Sequence, residues 1–392
     1  MAAVDTPRPL AGIRVLELAR VLAAPWAGQL LADLGADVIK VERPGEGDDT
    51  RHWGPPFVTA PSGANLSAAY FHSCNRGKRS IGLDIGTSAG QEKARTLAAG
   101  ADILIENFKV GALARYGLDQ ASVRAANPGL IYCSITGFGQ TGPYAHLPGY
   151  DFIVQGLGGM MSISGDPDGR PQKGGVAYAD ILTGIYAVVA ILAALRDRDR
   201  TGAGSHIDMS LLDTMVGVLG NQALNWMVSG NVPHRMGNGH ANLAPYQSFE
   251  CADGDVIIAV GNDRQFVRLC EVLGRAELSS DRRFATNPAR VTNRVELIAT
   301  LSELIRTWSA AELSAALEAS GVPAGPVNSI DQVFADPQVI SRGMQISCAG
   351  PDGEVPGLAA PIVMNGRRLT THKASPALGA DQDASWYDRA SD

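Results

Sequence analysis

The chain has 392 residues, 45% of them hydrophobic and only 19% charged, with a formal net charge of −7. That length supports two or three domains, and the acidic balance argues against nucleic acid as the principal partner. So low a share of charge points to an assembly that buries part of the surface.

In chain order, the first third alternates strand-like and helix-like segments. Ile13–Leu18 reads as a short apolar strand. Pro25 opens a helix with Trp26, Leu30, Leu31 and Leu34 on one stripe, and Gly35 stops it. Strands at Val38–Val41, Ser80–Leu83, Asp102–Ile105 and Leu130–Ile135 follow, with a helix at Gln91–Ala99 and short helical pieces across Arg115–Val123. This alternation implies an α/β fold with a parallel, doubly wound sheet. Two long apolar helices come next, Asp180–Leu195 and Leu211–Val228, separated by a solvated turn at Arg196–Gly202 and a strand at His206–Met209. The apolar run Ile181–Leu195 is too short to span a bilayer and carries Thr183 and Gly184, so a buried core helix is expected. Ser229–Tyr246, rich in Gly, Asn, His and Pro, reads as a linker or functional loop. A smaller α+β domain follows: a strand at Val256–Val260, helices at Arg264–Leu273, Val295–Trp308 and Ala310–Ala319, and a strand at Pro323–Val327. The C-terminal segment shows little periodicity.

Five scattered cysteines (Cys74, Cys133, Cys251, Cys270, Cys348) include no CxxC and read as reduced, buried thiols of a cytoplasmic or organellar-matrix protein. No secretory signal is evident in Met1–Leu10. The dinucleotide fingerprint needs glycines in the first strand–helix turn, and Ala19–Pro25 has none; Glu42 alone, at the end of the second strand, does not replace them. A P-loop and a GxSxG elbow are absent, and no cysteine has an evident activating context. The seven histidines (His52, His72, His146, His206, His234, His240, His372) show no HxxxH or HxH spacing, so no metal is expected. The loops do offer cations. Arg43, Lys78, Arg79, Lys109 and Arg115 fall at strand ends or helix starts, where an open α/β sheet borders its ligand crevice, and as a set they suit several phosphates. Asp180 stands at the mouth of the Ile181–Leu195 run. A carboxylate there is either a helix cap or a buried nucleophile, and the residues alone leave both open.

A set of segments, in order along most of the chain, resembles the class III CoA-transferase (CaiB/BaiF-type) family. These are Gly12–Leu18, Gly35–Gly45, Asn75–Ser80, Asp102–Phe108, Ser134–Gly139 and Thr201–Gly204. Within the family, Asp48–Phe57, Pro245–Gln247 and Gly261–Phe266 resemble dicarboxylate CoA-transferases of the succinyl-CoA:glutarate type. The resemblance implies a Rossmann-like large domain built from 1–224 and 331–392, a small domain at 225–330, and two chains interlocked as a homodimer. It implies Asp180 as catalytic nucleophile, no permanently bound cofactor, and CoA or acyl-CoA and carboxylic acids as the small-molecule partners, with no membrane or nucleic acid. CoA contacts are implied near Leu22, Ala23, Arg43, Asn75, Arg76, Lys78, Asn107, Phe108, Lys109, Arg115, Tyr150 and Asp151.

For the acid substrate, the planar fork of Arg51 suits a distal carboxylate, the alternative being a surface ion pair with Asp48 or Asp49. Trp53 reads as a pocket wall or as core. The N–H groups around Gly261 are candidate oxyanion donors, and His240, Asn242 and Gln247 could reach the site from the partner chain. Formyl-CoA transferases carry a glycine run where this chain has only Gly261-Asn262, which disfavours oxalate. The racemase branch carries a His where Tyr150 stands, and a phenol with pKa near 10 is a poor base, which disfavours a racemase. A non-catalytic CoA-binding protein would keep Arg43 and Arg115 but need no Asp180.

Overall fold

The computed structural model describes residues 8–387. The chain divides into two compact units: Met1–Gly159 with Gly174–Val218 and Pro337–Asp392, and Met160–Lys173 with Leu219–Asp336. The expected inserted domain, 225–330, omits 160–173 and starts a few residues late.

The larger unit is built on six parallel strands: β1 (Arg14–Leu18), β2 (Asp37–Glu42), β3 (Arg79–Gly82), β4 (Ile103–Glu106), β5 (Ile131–Thr136) and β6 (His206–Ser210). Their order across the sheet is β3-β2-β1-β4-β5-β6. Val15 pairs with Val38 on one side and Ile103 on the other, so the order reverses beside β1. Ligands of doubly wound sheets bind at that switch point, beyond the C-terminal strand ends. Helices cover both faces, which is why β1 and β4 are near-continuous apolar runs: Val15, Leu16, Leu18 and Ile103–Ile105 are all buried. The helices are α1 (Ala23–Asp33), α2 (Ser88–Ala99), α3 (Gln120–Ala126), α4 (Asp151–Leu157) and α5 (Tyr178–Thr201).

Two glycines set how closely α1 packs. A Cβ on Gly28 would lie 1.9 Å from Glu17 Oε2, so Gly28 leaves room for a carboxylate beneath the helix. A Cβ on Gly184, one turn into α5 from Asp180, would lie 2.6 Å from the Ala23 carbonyl oxygen. Gly184 therefore lets α5 approach the start of α1.

Several expectations change. Arg196–Gly202 is not a turn: α5 runs 24 residues to Thr201, and Gly202, at φ 73°, ends it in the left-handed region. Alternating Arg and Asp are adequate helix residues, and Arg198 pairs with Asp102. By length and composition α5 could cross a membrane, but one stripe of it (Ala187, Val188, Ile191, Leu195) is buried in this unit. Leu211–Val228 is two helices, Leu211–Gly217 and Asn221–Ser229, broken at Gly220 with φ 52°. The C-terminal part carries an unexpected antiparallel pair, Gln345–Gly350 with Gly353–Leu358.

The smaller unit has a three-stranded antiparallel sheet of β7 (Tyr246–Glu250), β8 (Asp255–Ala259) and β9 (Ala324–Pro326), with β8 central. Helices α6 (Asp263–Val272), α7 (Arg294–Ile305) and α8 (Ala310–Ala319) pack their Leu269, Leu297, Leu301 and Leu313 into its core.

Candidate active site

The β1–α1 turn lies at the switch point and is held by side chains at every peptide. Val21 has φ 72°, a costly conformation for a β-branched residue. Its N–H donates to both oxygens of Asp48 at 3.2 Å, and its carbonyl accepts from Cys74 Sγ at 3.6 Å. Asn107, just past β4, accepts from the Arg20 N–H at 3.1 Å and donates to the Arg20 carbonyl at 2.7 Å. Beneath the turn Lys40 is fully buried and spends its three protons on Glu17 (3.0 Å), Asp48 (2.9 Å) and the Ala19 carbonyl (2.7 Å). Burial alone would strip the proton from Lys40. The charges of Glu17, Asp48 and Glu42 override it and hold its pKa above the ordinary value.

Beyond the turn opens a cleft of about 580 Å³, walled by Val21–Ala23, Asn107–Lys109, Gly137 and Gly149, with Asp180 in its lining. Gly137 and Gly149 touch backbone to backbone: a Cβ on Gly149 would sit 2.2 Å from the Gly137 Cα. That contact seats the Pro148–Tyr150 stretch against the end of β5.

Asp180 is the third residue of α5, whose N-cap is Ala177 with no side-chain cap. The helix-cap reading of Asp180 therefore fails. Asp151 does that work, its Oδ1 accepting from the Ala179 N–H at 2.8 Å. Among the described residues the Asp180 carboxylate has no hydrogen-bond partner. Burial first, and then the negative charge of Asp151, push its pKa up to about 7. Tyr70 is pushed up to about 12 by burial and then by the charge of Asp180. It stands edge-on to Trp53, ring centroids 5.3 Å apart. Nothing in its short helix, Ala69–His72, distinguishes it in the sequence.

The expected CoA contacts divide. Leu22, Ala23, Arg43, Asn107, Phe108, Lys109, Arg115 and Tyr150 line the cleft. Arg43 is exposed and paired with Glu46, and Arg115 lies over Tyr116. Asn75, Arg76 and Lys78 do not reach it. Lys78 is fully buried and bonds Glu17, the Pro25 carbonyl and Asn75; Arg76 is spent on Asp33. This trio braces α1 from below instead of meeting a phosphate. Asp151 also stays out of the cleft wall, committed to Ala179 and Gln155.

Of the expected substrate groups, Arg51 is buried, with Nε and Nη2 both on Glu42 at 2.8 Å and its guanidinium 3.7 Å above the Phe71 ring. Its fork is occupied, so it is neither a carboxylate receptor nor a surface pair with Asp48 or Asp49. Trp53 is exposed and outside the cleft lining. Gly261 belongs to the smaller unit, and its N–H donates to Gln265 Oε1 at 2.8 Å, which takes it out of the donor pool. In that unit Asn242 is bonded to Asn221 and Asn225. No group of three or more metal-ligating side chains gathers among the described residues.

An isolated, unbonded carboxylate in a cleft walled by backbone and rimmed by cations can act as a nucleophile toward an anionic acyl donor. Residues 10–382 match the sequence model of CoA-transferase family III. The chain is 57% identical over 375 residues to a succinate–glutarate CoA-transferase of Agrobacterium fabrum, an alignment covering 95% of this chain and 94% of that protein. It is 42% identical over 376 residues to a succinyl-CoA:glutarate CoA-transferase of Mus musculus, covering 96% and 85%. A crystal structure of a CaiB/BaiF family protein from Brucella suis superposes with a TM-score of 0.85 at 57% identity, covering 96% of this chain and 98% of that one.

Proposed function

Since the chain belongs to CoA-transferase family III, we propose that it moves coenzyme A from a dicarboxylic acyl-CoA, succinyl-CoA, to a second dicarboxylic acid through the side chain of Asp180. The observation that carries this reading is the position of Asp180, half-buried in the cleft with no hydrogen-bond partner for its carboxylate among the described residues.

A carboxylate is a poor electrophile, and covalent catalysis divides the difficulty. An Asp180 oxygen attacks the thioester carbonyl. The C–S bond breaks, CoA leaves as thiolate, and a mixed anhydride forms. The thiolate then attacks the aspartyl carbonyl, the anhydride C–O bond breaks, and the first acid departs, leaving CoA in thioester linkage to Asp180. The incoming carboxylate attacks that thioester and the same steps run in reverse, restoring Asp180. No electron or proton is gained or lost over the cycle. A carboxylate with few donors around it is a stronger nucleophile than a solvated one, which fits the raised pKa of Asp180.

Succinyl-CoA as donor rests on the likeness to the two dicarboxylate enzymes. A panel of carboxylic acids offered with succinyl-CoA, read by the mass of the new thioester, tests it. Glutarate and similar dicarboxylates are expected to give product at least tenfold faster than monocarboxylates of the same length. Equal rates for both classes would remove the dicarboxylate assignment.

The enzyme works as a homodimer. On the larger unit, Phe152, Ile153 and Leu157 of α4 and Ile185, Tyr186 and Val189 of α5 are exposed. So large an apolar face on a transferase of low charge content calls for a cover, and a second copy supplies one. Light scattering is expected to give twice the chain mass at micromolar concentration; a monomer would contradict this. Five buried free thiols accord with a cytoplasmic setting.

A further inference from the structure

The geometry points to Asp151 and Gln155 as positioning residues that clamp the segment leading into the nucleophile from both ends. The inference rests on Asp180 being that nucleophile. Asp151 and Gln155 lie one turn apart on α4 and face the same way. Gln155 is fully buried. Its Oε1 accepts from the Gly174 N–H at 2.9 Å, and its Nε2 donates to Asp151 Oδ2 at 2.7 Å. Asp151 Oδ1 accepts from the Ala179 N–H at 2.8 Å. The three bonds form one relay from Gly174 to Ala179, so the glycine-containing segment between them has both ends fixed to a single helix.

The relay has a chemical consequence besides a geometric one. Asp151 occupies an N–H in the first turn of α5 that an acidic side chain in that turn could otherwise use. Asp180 is left without a donor, facing the cleft. Among the described residues, the titratable groups facing Asp180 are Asp151 from α4 and Tyr70 from the Ala69–His72 helix, with no cation. Asp151 thus fixes the direction of the nucleophile and withholds stabilisation from its charge.

The two roles separate by substitution in the full-length enzyme, with succinyl-CoA and glutarate as substrates. In Asp151→Asn, with Oδ1 on the Ala179 N–H, the Asn amide nitrogen meets the Gln155 Nε2 donor to donor, and a flip of Gln155 that relieves this gives up its bond from Gly174, so the relay breaks either way and the like charge is lost. A misplacement of about 1 Å costs roughly 100-fold in rate, and kcat is expected to fall by about that factor. The acid limb of the kcat/KM profile is expected to move down by about one pH unit as the neighbouring charge is removed. Gln155→Met keeps that charge: kcat falls while the acid limb stays. In Asp151→Asn/Gln155→Glu the Asn amide donates to the new carboxylate, which also accepts from Gly174, and kcat is expected to recover at least tenfold over the single variant. An unchanged rate and acid limb in Asp151→Asn, or a double variant no better than the single one, overturns the clamp. If Asp151→Asn does not fold, Gln155→Met carries the test, and wild-type kcat there overturns the clamp as well. Hydroxylamine trapping of wild-type enzyme in the same series distinguishes the failures: a labelled Asp180 with insensitive variants sinks the clamp alone, and an unlabelled Asp180 sinks the nucleophile and the clamp together.

Discussion

Asp180→Asn is expected to abolish transfer, lowering kcat at least about 10⁴-fold, with affinity for CoA unchanged and the protein more stable at pH 8. The loss of rate follows from removing the enzyme's own nucleophile in the proposed cycle. The gain in stability follows from the pKa of Asp180, pushed up to about 7 by burial and Asp151. A raised carboxyl pKa means that the fold prefers the protonated form. That preference contributes fully below the unfolded value, near 4, and is lost as pH rises through about 7. At pH 8 the wild type therefore carries a buried charge that Asn lacks, a cost on the order of 2 kcal/mol after allowance for partial exposure. At pH 4 the two proteins should melt together. The same ionisation sets the rate: kcat/KM should rise about tenfold per pH unit on the acid side and level off above about 7. Melting curves at the two pH values and a pH–rate profile check all three parts.

Lys40→Met is expected to be the most damaging substitution outside the cleft lining. It leaves Asp48 buried without its cation and Glu17 with Lys78 alone. Breaking a buried ion pair by removing one partner costs about 3–5 kcal/mol. The effect reaches the site, because Asp48 is what holds the Val21 N–H in its left-handed turn. Burial would raise the Asp48 pKa, but Lys40 outweighs it and the net shift is downward. Stabilisation from that carboxylate is thus present above its unfolded pKa and lost as pH falls. Urea unfolding should show the variant weakened most at pH 7, with the gap to wild type narrowing toward pH 3, and a raised KM for succinyl-CoA in whatever folds. A variant of wild-type stability would show that the buried charges are not coupled to the turn.

The main sheet was legible in the sequence because parallel strands covered on both faces are short apolar runs, and Ile13–Leu18, Val38–Val41 and Leu130–Ile135 are such runs. Helix limits were less legible. Nothing in Arg196–Arg200 separates a solvated turn from a solvated last turn of helix, and only the φ of Gly220 breaks the apolar stretch Leu211–Val228. The position of Asp180 was legible from the polar residue before an apolar helix together with the family resemblance. Which cations face the ligand was not. A Lys at a strand end looks the same whether it meets a phosphate, as expected of Lys78, or a buried Glu17. Arg51 was misassigned for the same reason, its partner Glu42 being one of several nearby acids. The relay through Gln155 had no local signal at all, since its bonds join residues 19 and 28 positions apart.

The central claim is that the Asp180 carboxylate is acylated during turnover and then carries CoA. Quenching the enzyme with hydroxylamine during reaction with succinyl-CoA and glutarate, followed by peptide mass mapping, tests this directly. A hydroxamate at Asp180, absent without substrate, is the predicted result. Full activity with the adduct on another residue, or on none, would contradict it.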